Sequence, residues 1–210
     1  MKRYLGFVLL ALLPIIGCNQ PSPTPPGPGP ITSNGGGNNG GGNNGVSPVN
    51  NDPTKDWYSY SSTDNTYTVK FPGKPDEKPQ SSQAATGPIN YVLVSYSTHG
   101  GNRAFLSSST MYTVDPSNFN VEKGLDGARD GAAKSTNATV TSENKIDYKG
   151  ASGREFYMSM QNGTKAKERI YIVNKGKGPI LYQALVVDTD GKIDDTDIDL
   201  FLKSLEIKDP

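Results

Sequence analysis

A segment rich in proline and then in glycine and asparagine, residues 19–55, sets the strongest limit on what this 210-residue chain can fold into. It contains Pro21–Pro30, followed by glycine and asparagine repeats up to Asn44, and it has almost no apolar side chains. Such a segment cannot bury enough apolar surface to offset the entropy lost on ordering its backbone, so we predict that it is disordered. Its roughly 37 residues have an expected reach on the order of 30 to 35 Å. The sequence therefore confines a folded domain to residues 56–210.

The first 17 residues contain the three parts of a secretory signal. Two basic residues, Lys2 and Arg3, precede an apolar run from Leu5 to Leu13, and the small residue Gly17 ends the segment. The apolar run is shorter than the about 20 residues that a helix needs to cross a bilayer. We therefore predict that residues 1–17 are a cleaved export signal and not a membrane anchor.

The residues Ile15-Ile16-Gly17-Cys18 resemble the lipobox of bacterial lipoproteins. The resemblance implies that the Cys18 thiol receives a diacylglyceryl group and that cleavage makes Cys18 the acylated N-terminus. Two or three acyl chains hold a protein stably, because each buried methylene contributes about 0.8 kcal/mol. We predict a palmitate-bearing lipoprotein in the cell membrane or the outer membrane, with its domain on the extracytoplasmic side. An ordinary cleaved signal with an accidental cysteine is the alternative.

Cysteine content and charge exclude several classes of site. Cys18 is the single cysteine, so lipid on its thiol leaves the domain without a disulfide, a thiol nucleophile or a thiolate metal site. Removing residues 1–17 takes away two bases and no acid, so the 21 basic and 21 acidic residues become 19 and 21. A domain this close to neutral has no global field to attract nucleic acid. We therefore expect a core built from apolar side chains and no nucleic-acid partner.

Alternating apolar residues and turn signals in residues 56–210 predict an antiparallel sheet of about six or seven strands. Two stretches have helical spacing: one opens at Asp115-Pro116-Ser117 and includes Phe119 and Leu125, and the other covers Asp194 to Leu205. Helices separated by runs of strands predict an α+β fold with the helices packed on the sheet. The predicted strands are 66–71, 87–97, 104–114, 140–148, 153–161, 167–174 and 179–188, with a hairpin turn at 99–102.

Several short blocks occur in a characteristic order along this domain, among them Phe71-Pro72-Gly73, Gly153-Arg154-Glu155-Phe156 and Phe201-Leu202-Lys203-Ser204-Leu205. Their order resembles the superfamily of the photosystem II extrinsic protein PsbP, and especially its bacterial relatives. The resemblance covers nearly all of residues 56–210 and implies an α/β/α sandwich around an antiparallel sheet. Because members of that superfamily are mostly non-enzymatic binding or assembly factors, it also implies a protein partner in the cell envelope.

The acidic turn Asp188–Asp197 is the sharpest candidate site in the sequence. Asp188, Asp190 and Asp194 supply the hard oxygen ligands that a calcium ion prefers, clustered around a glycine turn. The turn departs from the EF-hand loop, because it lacks the first ligand and has aspartate in place of the final glutamate. We predict a polar turn that leads into an acidic helix start, and calcium or small-ligand binding by Asp188, Asp190 and Asp194 is the alternative.

Other residue patterns give little support for catalysis. His99, the single histidine, lies in a glycine-rich turn, while Ser107–Ser109 lies along a strand and no G-x-S-x-G elbow exists. Glu155 and Glu168 could act as acid and base, but on adjacent strands we expect them to pair with the neighbouring arginines. No glycine-rich phosphate loop follows a strand. We therefore predict that the domain is not an enzyme and needs no nucleotide cofactor.

Overall fold

The structure, a computed structural model, describes residues 52–84 and 87–210. The predicted signal peptide, Cys18 and almost all of the segment 19–55 lie outside the described residues. The strands are β1 (Tyr58–Ser61), β2 (Tyr67–Phe71), β3 (Asp76–Ala84), β4 (Gly87–Thr98), β5 (Arg103–Met111), β6 (Ala138–Tyr148), β7 (Ala151–Met160), β8 (Lys165–Lys175), β9 (Gly178–Asp188) and β10 (Glu206–Ile207), and the helices are α1 (Val121–Ser135) and α2 (Thr196–Lys203).

The strands form two antiparallel sheets. The large sheet has seven strands in the order β3-β4-β5-β9-β8-β7-β6, and the small sheet has three in the order β1-β2-β10. The prediction of an α+β fold, with helices packed on an antiparallel sheet of about seven strands, is confirmed. Among the described residues, neither helix is long and apolar enough to cross a bilayer.

One face of the large sheet packs against the small sheet and α2. The ring of Phe201 on α2 lies 5.1 Å from the ring of Phe71 on β2 and 5.2 Å from that of Phe105 on β5, measured between centroids. Ile198 and Leu202, on the same face of α2, are fully buried. The apolar stripe predicted for this helix therefore seals the small sheet onto the large one.

The opposite face packs against α1, which contacts strands β6, β7 and β8. Leu125, Ala128 and Ala132 of the helix are buried there. The predicted start at Asp115 is wrong, because Asp115 caps a short 3-10 turn, and α1 begins after Asn120, whose side chain accepts a hydrogen bond from the Lys123 N–H. Two capping residues stand close together in this sequence, and the helix begins at the second.

The sequence did not predict β1, β3 and β10. β1 and β10 are only four and two residues long, and β3 contains charged residues and Pro79. These strands form because each pairs with a neighbour: β3 with β4, and both β1 and β10 with β2. Their own side-chain patterns carry little signal.

Two glycines give a test of this packing. A Cβ atom added at Gly153 on β7 would lie 2.4 Å from the carbonyl oxygen of Ile170 on β8, whereas one added at Gly127 on α1 would meet nothing within 4 Å. We expect Gly153→Ala to destabilise the fold by about 1 to 3 kcal/mol, because strands β7 and β8 must move apart. Gly127→Ala should stabilise it by up to about 1 kcal/mol, because alanine favours a helix. Urea unfolding of both variants measures the two free energies, and equal effects would contradict this packing.

Candidate functional site

The acidic turn at 188–197 is organised around the buried guanidinium of Arg103. The Arg103 Nε donates to Asp188 Oδ2 at 2.8 Å, and its Nη2 donates to Asp195 Oδ2 at 2.6 Å. Its Nη1 donates to Asp197 Oδ1 at 3.1 Å, and the side chain is only 1% exposed. These contacts tie the turn and the start of α2 to β5, which gives the acidic residues a structural role.

Asp188, Asp190 and Asp194, the predicted calcium ligands, have different surroundings. Asp188 bonds to Arg103, the Asp190 carboxylate accepts a hydrogen bond from Asn102 at 3.1 Å, and Asp194 is exposed. In the part of the chain that the structure describes, no three His, Cys, Asp or Glu residues are grouped so that they could hold a metal ion. Calcium binding by these three residues stays a prediction, with no geometric feature here in its favour.

The serines of the run 107–109 make bonds that hold the fold together. Ser107 Oγ lies 3.2 Å from Tyr67 Oη of the small sheet, on the α2 side of the large sheet. Ser108 Oγ donates to Gln183 Oε1 at 3.2 Å on the α1 side. Adjacent serines thus face opposite sides of the sheet, as strand geometry requires. The backbone at His99 forms part of the 3-10 turn between β4 and β5.

The two glutamates considered as an acid and base pair also face opposite sides. Glu155 accepts a hydrogen bond from Arg169 Nε at 2.9 Å across β7 and β8, as predicted. The predicted pairing of Glu168 with an arginine is wrong, because Glu168 points to the α1 face. Its direct cross-strand neighbours are Phe156 and Leu185, which are apolar.

Glu168 is the most unusual side chain of the large sheet. It is completely buried, and its Oε1 accepts a hydrogen bond from Gln183 Nε2 at 2.9 Å. Gln183 in turn accepts the bond from Ser108, so the three side chains form a chain of hydrogen bonds across β8, β9 and β5. The second carboxyl oxygen, Oε2, is buried without a hydrogen-bond partner. A buried polar atom of this kind carries a desolvation cost that needs an explanation.

Burial controls the protonation of Glu168. Transfer out of water disfavours the ionised form and raises the pKa of Glu168 to about 8, while the bond from Gln183 lowers it by a smaller amount. The carboxyl group is therefore mostly protonated at neutral pH. Strongly shifted carboxyl groups next to a cavity are typical of functional sites.

A small cavity adjoins the Glu168 carboxyl group. Its volume is about 20 Å³, enough for one group the size of a water molecule. The polar part of its wall is formed by Glu168, Gln183 and Ser108, and the apolar part by the leucines 93, 106 and 185 together with Tyr91. We call this cavity the Glu168 pocket.

Next to this pocket the large sheet splits. β4 and β5 pair from Thr98 with Arg103 to Val94 with Ser107, and their register ends there. Beyond this point β4 continues to pair with β3 as far as Gly87, and β5 continues to pair with β9 as far as Met111. The first half of β4 and the last part of β5 therefore diverge. We call the opening between residues 87–93 and 108–111 the β4–β5 cleft.

The cleft exposes backbone hydrogen-bonding groups of β5. The N–H of Tyr112, which follows the strand, donates to the carbonyl of Pro179 in β9. Because the groups on a strand alternate in direction, the N–H and C=O of Ser109 and Met111 point the other way, into the cleft. The Met111 side chain, next to these backbone groups, is 49% exposed, which is a large fraction for an apolar side chain.

On the α2 side, the cleft opens into a groove of about 230 Å³ between the large and small sheets. Tyr60 and Tyr67 of the small sheet face Met111 and Ser109 across it, and Tyr91 lines both this groove and the Glu168 pocket. Burial and the nearby Glu77 carboxylate raise the pKa of Tyr60 to about 12, and the protonated Tyr60 hydroxyl donates to Glu77 Oε2 at 3.4 Å. The cleft thus has an apolar wall, a strand edge and a polar pocket within one region.

A sequence signal for Glu168 exists but is easily missed. The residues of β8 that face α1 are Ala166, Glu168, Ile170 and Ile172, so the glutamate interrupts an otherwise apolar alternation. The flanking residues Lys167 and Arg169 suggest a charged stretch, which hides the interruption. The cleft has no sequence signal at all, because its position depends on where two strands stop pairing.

Comparison with known proteins gives a resemblance in structure only. No protein-family model matches the chain, and no curated protein sequence matches it. Among solved structures, the chain is similar to the solution structure of cyanobacterial PsbP, called CyanoP, from Synechocystis. The identity is 8%, the TM-score is 0.49, and the match covers 72% of this chain and 92% of that one. The fold assignment above therefore rests on the strands and helices themselves.

The buried carboxyl group predicts an unusual dependence of stability on pH. The unfolded chain loses the Glu168 proton near pH 4.5 and the folded chain near pH 8, so this residue makes stability fall as pH rises between those values. Each pKa unit corresponds to about 1.4 kcal/mol, so Glu168→Gln should be more stable than the wild type by several kcal/mol at pH 9. At pH 4 the two proteins should be nearly equal.

Urea unfolding at pH 4, 7 and 9 measures this difference. The matched control is Glu206→Gln, which changes an exposed glutamate on β10 and should alter stability by less than about 0.5 kcal/mol at each pH. A difference between wild type and Glu168→Gln that stays constant with pH would contradict the assigned protonation.

Proposed function

We propose that this protein is a lipid-anchored, non-catalytic domain of the cell envelope that binds a protein partner in the β4–β5 cleft. Lipid on Cys18 holds it to the membrane, and the segment 19–55 lets the domain reach a partner away from the bilayer. The observation that carries this proposal is the divergence of β4 from β5, which leaves a strand edge and an exposed methionine side by side.

The geometry of the cleft favours an extended peptide as its ligand. A peptide that runs along β5 can bond to the backbone groups of Ser109 and Met111, as in other proteins that bind a strand at a sheet edge. Main-chain bonds supply part of the affinity, while pockets for alternate side chains supply specificity. The groove lined by Tyr60 and Tyr67 would take one side chain, because tyrosine rings offer a large apolar contact with a polar end.

The bonds that the candidate side chains already make support the proposed absence of catalysis. Ser107 and Ser108 bond to Tyr67 and Gln183, and Glu155 bonds to Arg169. Each of these bonds links two structural elements. Using one of these groups as a nucleophile or a base would break a contact within the fold.

The anchor has its own test. Protein extracted from its native membrane should have the mass of a chain that begins at Cys18 and carries acyl groups, and Cys18→Ala should lack that mass and leave the membrane fraction. Intact-mass spectrometry of both proteins decides this. An unlipidated wild-type chain, found free outside the cells, would contradict the anchor but would leave the cleft proposal standing.

The cleft can be tested with a photo-crosslinking amino acid placed at Met111 in the full-length protein. We expect it to capture one defined envelope protein, whereas the same group at Tyr58, a position of comparable exposure on β1, should not. Mass spectrometry of the adduct identifies the partner and the peptide that is bound. Equal capture at both positions would contradict a specific site.

Ser109→Pro and Ser109→Ala form a matched pair for the strand edge. Proline removes the N–H that points into the cleft and leaves the bonds between β5 and β9 in place, while alanine keeps the N–H. Losing a hydrogen bond worth about 1 kcal/mol should weaken partner binding roughly fivefold in the proline variant. Binding is measured by titrating the purified variants with the captured peptide. Equal affinities for the two variants would exclude pairing along this edge.

A further inference from the structure

The Glu168 pocket has a recognisable chemical polarity. Glu168 Oε2 lacks a hydrogen-bond partner. In contrast, Glu168 Oε1 accepts a hydrogen bond from Gln183 Nε2, and Gln183 Oε1 accepts one from Ser108. No charged residue contributes to the shift of the Glu168 pKa, which comes from burial and the bond from Gln183. The pocket therefore presents an acid without a countercharge.

The size and walls of the pocket restrict what can complete it. A volume of about 20 Å³ accepts one compact group. An ammonium group is a compact charge with three donors, whereas a guanidinium is a wide planar fork with five. The leucines 93, 106 and 185 offer an apolar lining for a hydrocarbon stem, and the partly exposed Tyr91 lines the same pocket.

We propose that the Glu168 pocket is a binding site for a primary ammonium group, and that its natural occupant is a lysine side chain of the protein partner. The ammonium group would donate to Glu168 Oε2 and to the Ser108 hydroxyl oxygen, and the stem would lie against the leucines. The identity of the occupant rests on the proposed function, whereas the preference for an ammonium group does not.

The position of the pocket beside the cleft agrees with this occupant. Successive side chains of a strand point to opposite faces of a sheet. A peptide that runs along Ser109 and Met111 would place one side chain in the groove beside Tyr60 and the next on the α1 side, where the Glu168 pocket lies. A lysine is long enough to reach Glu168 from there because its stem has four carbons.

A ligand that offers a hydrogen-bond acceptor would need the other protonation state of Glu168. The pH dependence of affinity therefore distinguishes such a ligand from an ammonium group. An ammonium group binds the ionised carboxylate, so below the Glu168 pKa of about 8 binding must release a proton. Affinity should then rise about tenfold for each pH unit between 6 and 8 and level off above 8. An acceptor would bind the protonated acid and show the reverse trend.

Other titratable groups near Glu168 do not produce this profile. Tyr91 lines the same pocket, and burial raises its pKa further above the range tested. On α1, Glu122 and Asp126 form ion pairs with Arg154 of β7. The neighbours of Glu168 along β8, Lys167 and Arg169, point to the opposite face of the sheet and bond to Asp199 and Glu155.

The test uses n-butylammonium chloride as the probe and the full mature chain as the target, followed by chemical-shift changes in NMR spectra. n-Butanol has the same stem without the charge and serves as the control ligand. We expect saturable binding of n-butylammonium, at least tenfold weaker binding of n-butanol, and a rise in affinity with pH up to about 8. The amine stays charged over this range, because alkyl amines of this kind titrate near about 10.4.

Glu168→Gln should weaken n-butylammonium binding at least tenfold, while the control Glu206→Gln should leave it unchanged. Because glutamine removes a buried acid, we expect the variant to fold at least as stably as the wild type. The proposal of an ammonium site is overturned if n-butylammonium does not bind, if Glu168→Gln binds it equally well, or if affinity falls with rising pH.

The source of the ammonium group is tested separately with the captured partner peptide. Replacing its lysine by methionine, or using Glu168→Gln with the unchanged peptide, should weaken binding at least tenfold, and combining both changes should add little more. If both single changes leave peptide binding unaffected, a partner lysine is excluded. That outcome differs from failure of the proposed function, in which the crosslinker at Met111 captures no defined partner.

Discussion

The centre of the large sheet, strands β5, β9 and β8, is covered on both faces, and this constraint determines how every polar side chain in it must be accommodated. On the α2 face, Arg103 and Lys167 are buried among apolar groups and would be costly to keep charged without partners. Both find carboxylates: Arg103 in the turn that follows β9, and Lys167 at Asp199 of α2, with 2.6 Å between its Nζ and Oδ1. The acidic turn and the acidic first turn of α2 therefore complete the sheet. The carboxylates of these two segments hold α2 to the sheet.

On the α1 face the same constraint is met only in part. Glu168 has one amide donor and no cation, and its cross-strand neighbours are Phe156 and Leu185. An apolar residue of similar volume at this position would remove the desolvation cost. Packing alone does not account for a glutamate here. The contrast with Arg103, whose guanidinium is bonded on all sides, is the reason to assign a ligand to the Glu168 pocket and a structural role to the acidic turn.

The sequence predicted the parts of the fold that depend on local pattern. Strands β4 to β9 alternate strongly enough that their positions could be predicted to within a few residues, and the stripe Ile198, Phe201, Leu202 located α2. The small sheet could not be predicted in full, because β1 and β10 are too short and polar to carry a pattern and form only by pairing with β2. The structural role of the acidic turn could not be predicted, because its partner, Arg103, lies 85 residues before Asp188 in the sequence. The predicted arginine partner of Glu168 is wrong because Glu168 and Arg169 are neighbours along β8, so their side chains point to opposite faces of the sheet.

The position of the β4–β5 cleft depends on the register between strands, which no local sequence pattern specifies. The cleft also creates a further strand edge at which the sheet could pair with another chain. Outer strands normally carry charges or proline to prevent pairing with other chains, and β3 does so with Asp76, Glu77, Lys78 and Pro79. The end of β5 has no such protection, since Ser109, Thr110 and Met111 are uncharged. Its edge instead lies inside a cleft, where the diverging β4 and the small sheet limit access to a segment narrow enough to enter. The proposed binding of an extended peptide needs an uncharged edge of this kind, and the same shelter would restrict pairing with other chains.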